Sequence, residues 1–499
     1  MDYGSYLEKY AQHAVRTREH TDLAHGMLGL REVLFQSLAA MAPGGALAVS
    51  IAVAATYAGG ALPVAVIAGL LPCLTVAMAI GQLSKHLASA GSIYTYPARA
   101  LHPNLGFLVG WGYALAAAAW CPAVALMTSF QIAGLMTHGQ SVEFKLVWTT
   151  SFCVTCLVIL LLGYRGVGLS ARTGTALGTV EITIFVILSA SMIVAAGTGN
   201  TAAPFSLALA NVNGYQGVSG IIVAAVFTVQ AFVGFEAAAP LAEEAIEPRR
   251  TIMLATLFAC IGLGLFYVLV TYAAIVLRGP GDFSTFGASL DQGNPWIGLA
   301  QRVWGAGWIV VFLAVLSSNF GAQNAFANAA SRTWYAMARI RLLPRGLERT
   351  HPRWRSPHIA VFVQFVFSLV AGGTAGLLFG PVDGSVLLAT LCTAIPLAVY
   401  ILINISCVAY YWRHRRDEFN WLLHGFIPIT GAVLLVPILM TALGVGGSLL
   451  RFVAPLPHPI SLTGPILVVW YSGGLTYLAY LRRHFPERLQ RTSEIFGEQ

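Results

Sequence analysis

Of the twenty acidic residues in this chain, two lie deep within apolar runs, Glu181 and Glu236. No Lys or Arg occurs between Arg172 and Arg249, so neither acid has a sequence-local cation to pair with. A carboxyl taken out of water favours its neutral form, and the chemistry such a group offers at membrane depth is proton carriage. The alternative is a neutral acid hydrogen-bonded to a neighbouring helix, which only holds the bundle together. For Glu181 the two readings stand level. Glu236 is read as functional because of its surroundings, FVGFEAAAPLAEEAIEPRR at 232–250, where Gly, an acid and Pro interrupt an apolar run. Residues 40–46, AMAPGGA, carry the same kind of defect, with one Pro and two Gly halfway along another run. Proline removes a backbone donor and clashes with the preceding turn, and glycine adds backbone freedom. Both places read as broken helices whose freed backbone groups face a cavity.

Other chemistries find little support. The seven cysteines (Cys73, Cys121, Cys153, Cys156, Cys260, Cys392 and Cys407) all fall in apolar runs, and the C-x-x-C at Cys153 and Cys156 reads as packing one helical turn apart. The twelve histidines sit in loops or at the ends of runs, which argues against axial haem ligands and an intramembrane histidine metal site. No cofactor or metal is expected. A lipid-modifying membrane enzyme would need a converging Ser/His/Asp or metal-ligand set, and no run contains one, so the chain is not read as an enzyme.

The elements that must position these residues follow from composition. Charged residues make up 10% of the 499 and hydrophobic ones 57%, with mean hydropathy +0.73, whereas soluble domains carry about 25% charged residues. The chain is therefore an all-α integral membrane protein. Apolar windows predict twelve transmembrane helices, at 33–57, 62–83, 94–136, 144–163, 166–197, 217–246, 251–277, 300–336, 358–379, 384–412, 424–444 and 463–481. The third and eighth are too long for an upright crossing and must tilt or run beyond the bilayer. All of the 28 Lys and Arg except Lys145, Arg278, Arg302 and Arg451 fall on one side of this topology. Basic residues are retained in the cytoplasm, so both termini, the polar segment 1–32 and the tail 482–499, are expected there. Segment 1–32 lacks the short apolar core of a signal peptide. The net charge of +8 then reflects topology, and nucleic acid is not an expected partner. Membrane lipid is one, with the basic stretch from Arg339 to Arg355 either a positive-inside loop or a contact for anionic headgroups.

The two broken spans, the first and the sixth, occupy matching positions of two five-span halves. Paired breaks of this kind mark an inverted-repeat transporter with its substrate site at the midplane, where the exposed N–H groups of a half-helix suit a carboxylate.

Four ordered motifs carry a closer likeness: GFE at 234–236 with LAEEAIEPRRTI at 241–252, AGSIYTYPARALHPNLGFLVGW at 90–111, RGVGLSART at 165–173 and SRTWYAMARIRLLP at 331–344. Through these the sequence resembles the amino acid–polyamine–organocation superfamily of permeases, over about its first ten spans. The resemblance implies a leucine-transporter-type fold: a five-plus-five inverted repeat, 33–197 and 217–412, with two extra C-terminal helices at 424–481. It implies secondary transport of an amino acid or small amine by alternating access at the plasma membrane. Carried onto this chain, the substrate site would be Met41, Ala42, Pro43, Gly44 and Gly45 from span one with Gln230, Ala231, Phe232, Val233, Gly234 and Phe235 from span six. Glu236 matches the acid after the break that helps connect the site to the cytoplasmic path.

The departures matter. MAPGGA stands where many relatives have a Gly-Ser-Gly break, and Gln230 where some place an aromatic gate. Glu181 aligns with a lysine of some proton-coupled relatives, and a carboxyl there could carry a proton. Sodium-dependent relatives bring hydroxyls from span eight to the ion, whereas 321–330 reads GAQNAFANAA; sodium is therefore disfavoured and a proton expected. Trp111, Trp120, Phe227, Phe232 and Phe235 are candidate pocket aromatics, with Phe232 and Phe235 preferred because they flank the break. Asn319, Gln323, Asn324 and Asn328 form a polar face of span eight that suits helix bridging and substrate contact alike. An exchanger without ion coupling, and a sensor that binds but does not cycle, remain as alternatives. Substrate identity, direction of transport and oligomeric state are not encoded in any recognisable pattern.

Overall fold

The computed structural model describes residues 29–87, 95–137, 142–166, 171–212, 214–243, 245–279, 281, 283, 294–339, 341–354, 356–446 and 453–485. The segment 1–28, the tail from 486, residues 90–94 and 167–170 of two family motifs, Ile340, Arg355 and Arg451 lie outside them.

The described chain is almost wholly helical. Its helices are α1 (Leu30–Ala40), α2 (Pro43–Ala46), α3 (Ala52–Ala58), α4 (Leu62–Leu83), α5 (Thr95–Ala100), α6 (Pro103–Met136), α7 (Val142–Tyr164) and α8 (Ala171–Ala196). There follow α9 (Val218–Phe232), α10 (Pro248–Arg278), α11 (Pro295–Trp304), α12 (Trp308–Arg339), α13 (His358–Phe379), α14 (Pro381–His414), α15 (Ile427–Ala442) and α16 (Thr463–His484). A two-residue antiparallel pair, β1 (Asn211–Val212) with β2 (Tyr215–Gln216), precedes α9. Proline stands in the first turn of α2, α4, α6, α10, α11 and α14, where its missing N–H leaves no helical acceptor unsatisfied. Gly380, at φ 86°, is the sole residue between α13 and α14; only glycine reverses the chain in that conformation without a Cβ penalty.

Among the described residues, ten runs are long and apolar enough to cross a membrane. The first, Leu30–Leu83, holds two helical stretches joined at Gly59–Ala61, and α16 is not among the ten. Among the described residues the expected spans fall mostly on helices, and besides the interruption at Met41–Ala42 three differences are informative. The run 94–136 is divided: His102 is extended and its ring Nδ1 accepts the Asn104 N–H at 3.2 Å, which starts α6 afresh. The run 300–336 is divided at Gly305, φ 54°, so α12 begins at Trp308. The run 217–246 ends as regular helix at Phe232 and resumes as a 3-10 helix over Phe235–Glu243. Hydropathy is blind to all three because none of them changes the average apolarity. The 34 residues of α6 and 32 of α12 make helices of about 50 Å at 1.5 Å per residue, longer than a hydrocarbon core of about 30 Å.

The core is built where α6 lies along α14 and α12, and where α4 lies along α10 and α9. α16 docks on α6 through a reciprocal pair: Trp111 Nε1 donates to the Trp470 carbonyl and Trp470 Nε1 to the Trp111 carbonyl, each at 3.1 Å, with the indoles stacked at 4.9 Å. Both half-buried indoles thereby find partners for their N–H groups.

Candidate functional site between two broken helices

The first break is short. α1 stops at Ala40, Ala42 takes the left-handed conformation at φ 44°, and Pro43 opens α2. A non-glycine residue in that region costs roughly 1–2 kcal/mol, which the surrounding structure must offset. α2 passes into a π turn at Leu47–Ile51, and the Leu47 carbonyl accepts the indole N–H of fully buried Trp296, from the first turn of α11, at 2.8 Å.

The second break, at Val233 and Gly234, lies against the first. A Cβ on Gly234, at φ 117°, would sit 2.9 Å from the Ala40 carbonyl carbon and oxygen and 3.0 Å from the Met41 nitrogen. The two interruptions seen in the sequence are thus one structural feature. Their backbone groups are satisfied locally, as a non-aqueous environment demands: Ser37 Oγ donates to the Phe235 carbonyl at 2.9 Å and Tyr267 to the Ala231 carbonyl at 3.2 Å.

Beside the breaks is a cavity of about 490 Å³, its open mouth included. Of the expected substrate residues, Met41, Ala42, Gly45, Gln230 and Val233 line it. Pro43, Gly44, Ala231, Phe232, Gly234 and Phe235 are not among its lining residues. Phe232 packs edge-on to Tyr267 at 5.5 Å and Phe235 against Tyr400 at 5.3 Å, both phenylalanines fully buried. The aromatic residues that line this cavity are Trp120 of α6, one of the five named from the sequence, and Phe326 of α12, centroids 5.0 Å apart.

The polar face of α12 turns inward. Asn319 Nδ2 donates to Gln131 Oε1 and Gln323 Nε2 to Thr128 Oγ1, both at 3.2 Å, and Asn328 reaches Asn324 at 3.2 Å. Asn319 also lines the cavity. Asn319 and Gln131 are fully buried and Gln230 nearly so, yet Gln230 Oε1, Asn319 Oδ1 and Gln131 Nε2 have no hydrogen-bond partner among the described residues. Buried polar atoms are ordinarily paired, so two on lining residues, Gln230 and Asn319, with a third on Gln131 behind Asn319, mark a place suited to something polar.

The carboxylate grip expected at the start of the half-helix is already engaged. The Gly45 N–H donates to Ser318 Oγ at 2.9 Å. Gly44 faces Glu181 instead, whose Oε2 would lie 3.2 Å from a Cβ at that position. Glu181 is 4% exposed, accepts the Ser317 hydroxyl at 3.3 Å, and has the Ser318 hydroxyl beside it. These serines also remove the ground on which sodium was disfavoured. Residues 321–330 indeed lack hydroxyls, but Ser317 and Ser318, just before them on α12, bring two against the break.

Glu236 has a different setting. Its Oε2 accepts both the Gly234 N–H and the Tyr400 hydroxyl at 2.9 Å, so it clasps the second break to α14 and does not line the cavity. Of the C-x-x-C pair, Cys153 is exposed and Cys156 buried.

Comparison with known proteins agrees with this architecture. The family profile described as amino acid permease matches residues 32–490. An uncharacterized transporter of Mycobacterium tuberculosis is 30% identical over 349 residues, 69% of this chain and 73% of its own. A low-affinity putrescine importer of Escherichia coli is 24% identical over 450 residues, 87% of this chain and 89% of its own. A branched-chain amino acid permease of Bacillus subtilis is 24% identical over 370 residues, 71% and 74% of the two chains. These are transporters and not enzymes. With the family profile spanning nearly the whole length and ten apolar runs to cross a bilayer, the chain is a multi-pass membrane protein that belongs to the amino acid permease family of the amino acid–polyamine–organocation superfamily.

Proposed function

We propose that this permease imports an amino acid or small amine across the plasma membrane, driven by a proton, with the cavity beside the paired breaks as its transport site. The observation that carries the reading is the contact between the breaks at Gly234 and Ala40, beside a cavity holding unpartnered polar atoms. Discontinuous helices meeting at the midplane place backbone and side-chain polar groups where a substrate can be held from both halves. In this reading the Leu30–Leu83 run crosses twice and α16 is the last span. The chain then has twelve crossings, both termini in the cytoplasm, and two inverted halves, 33–197 and 217–412.

Alternating access follows from rocking one group of helices against another around the breaks. Glu181 joins α8 to α2 and α12 at the first break, so its hydrogen bonds must change when those helices move. A carboxyl that gains or loses a proton between two arrangements biases their populations by its differential interaction with each. The proposal of a proton rests on this placement of Glu181 and not on any lack of hydroxyls. Glu236, held by Gly234 and Tyr400, positions the second break.

Purified protein in proteoliposomes should accumulate members of a labelled amino acid and amine panel when the lumen is alkaline, with sodium replaced by choline. Accumulation that needs sodium and ignores pH would overturn the proton; counterflow alone, insensitive to either gradient, would establish the exchanger. Binding without any translocation would leave a sensor.

A further inference from the structure

We infer that the site takes an amino acid whose side chain carries no charge, and that Gln230 and Asn319 read its polar head. This rests on the transport reading above and narrows it.

Among the described residues, none that lines the cavity is charged. Its polar side chains are Ser50, Gln230, Asn319 and Ser385, all at least nine-tenths buried and all neutral. Both nearby carboxylates are committed elsewhere: Glu181 to Ser317 beside Gly44, Glu236 to Gly234 and Tyr400. Ser385 is committed too, its hydroxyl donating to the Ala123 carbonyl at 2.7 Å. Beside Ser50, the cavity holds two amide oxygens without a partner among the described residues, on Gln230 of α9 and Asn319 of α12. Both belong to the second half, 217–412: Gln230 stands on the helix that ends at the second break, and Asn319 on the helix packed against α2 at the first. Whichever way each amide is turned, it presents uncharged donors and acceptors. Such groups suit an ammonium and carboxylate that largely neutralise one another within one molecule.

The rest of the wall is Val49, Val124, Trp120, Phe326 and alanines. A zwitterion with an aliphatic or small side chain can lay that side chain on this surface. A lysine or a glutamate would bring one further charge, and a diamine two uncompensated ones, into a place with no counter-charge, and an unpaired buried charge is strongly disfavoured. The expected discrimination is about a hundredfold or more in favour of the uncharged side chain, the scale reached when a buried group loses its partner.

The test uses full-length protein and leucine, alanine, serine, glutamate, lysine and putrescine as probes. Thermal shift of the detergent-purified protein reads binding, and proteoliposome uptake reads transport. The expected result is stabilisation and uptake by leucine, alanine or serine, with the three charged probes at about a hundredth of that or less. Binding or uptake of putrescine, lysine or glutamate at a level equal to the best neutral probe would overturn the inference and leave transport intact. Binding of a neutral probe with no uptake would sustain the inference and sink the transport reading. A protein that binds none of the six would overturn the inference. Gln230→Glu is expected to weaken leucine and admit lysine or putrescine by tenfold or more; should it fail to fold, Asn319→Asp takes its place. Unchanged selectivity in a folded variant would remove these residues from the assignment.

Discussion

Glu181→Gln is expected to abolish uphill accumulation driven by an alkaline lumen while leaving counterflow of labelled substrate within a few-fold of wild type. The amide keeps the size and shape of the carboxyl and one acceptor oxygen for the serine hydroxyls at the first break. What it cannot do is take up or release a proton; it also offers one acceptor oxygen fewer, and the counterflow readout reports that structural cost. A gradient of one pH unit supplies about 1.4 kcal/mol per proton, a tenfold accumulation ratio, so the wild-type ratio should fall from about ten to one under that gradient. The separation of the two readouts is the point. Loss of both would mean that the carboxylate holds the break together, and survival of pH-driven accumulation would assign the proton to another group.

Gly234→Ala should damage both folding and transport. The residue combines a backbone conformation at φ 117°, which side-chain-bearing residues rarely adopt, with a Cβ position 2.9 Å from the Ala40 carbonyl. The neighbour is backbone, so no rotamer change relieves the contact. Forced strain of this kind costs about 1–3 kcal/mol before the clash is counted, and separating the two breaks would also enlarge the cavity. The expected outcome is a lowered thermal midpoint in detergent and transport reduced at least tenfold. Wild-type values for both would show that the two breaks need not touch. The Glu236 contacts to Gly234 and Tyr400 reinforce the same joint from the other side.

The breaks were legible in the sequence because proline, glycine and a lone acid are conspicuous in an apolar run, and their location survives in the structure to within a residue or two. The facing of each residue was not legible. A helix that stops and restarts loses its angular register, so Gly44 and Gly45 could be placed at the break but not aimed: Gly44 meets Glu181, and Gly45 lines the cavity with its N–H already given to Ser318. Phe232 and Phe235 flank the second break in sequence yet turn towards Tyr267 and Tyr400. The residues that do complete the cavity come from distant helices: Trp120 from α6, Asn319 and Phe326 from α12, Ser385 from α14. The polar face of α12 was visible as spacing, and its inward orientation could have singled out Asn319 had the helix been read from Trp308, with Ser317 and Ser318 included. Proximity along the chain identifies where a backbone fails to be regular. Convergence in space, which decides what binds there, depends on helix packing that period and composition do not specify.

The claim on which everything else depends is that substrate occupies the cavity beside the breaks. Ala322 lines that cavity from α12, and its replacement adds a thiol with little bulk. With the exposed Cys153 changed to Ala, Ala322→Cys should react with a small methanethiosulfonate reagent in proteoliposomes, read by mass on the peptide carrying the introduced thiol. A transported substrate should slow that reaction at least several-fold, with the same concentration dependence as its uptake. Labelling indifferent to a substrate that the same protein still carries would place the transport site elsewhere.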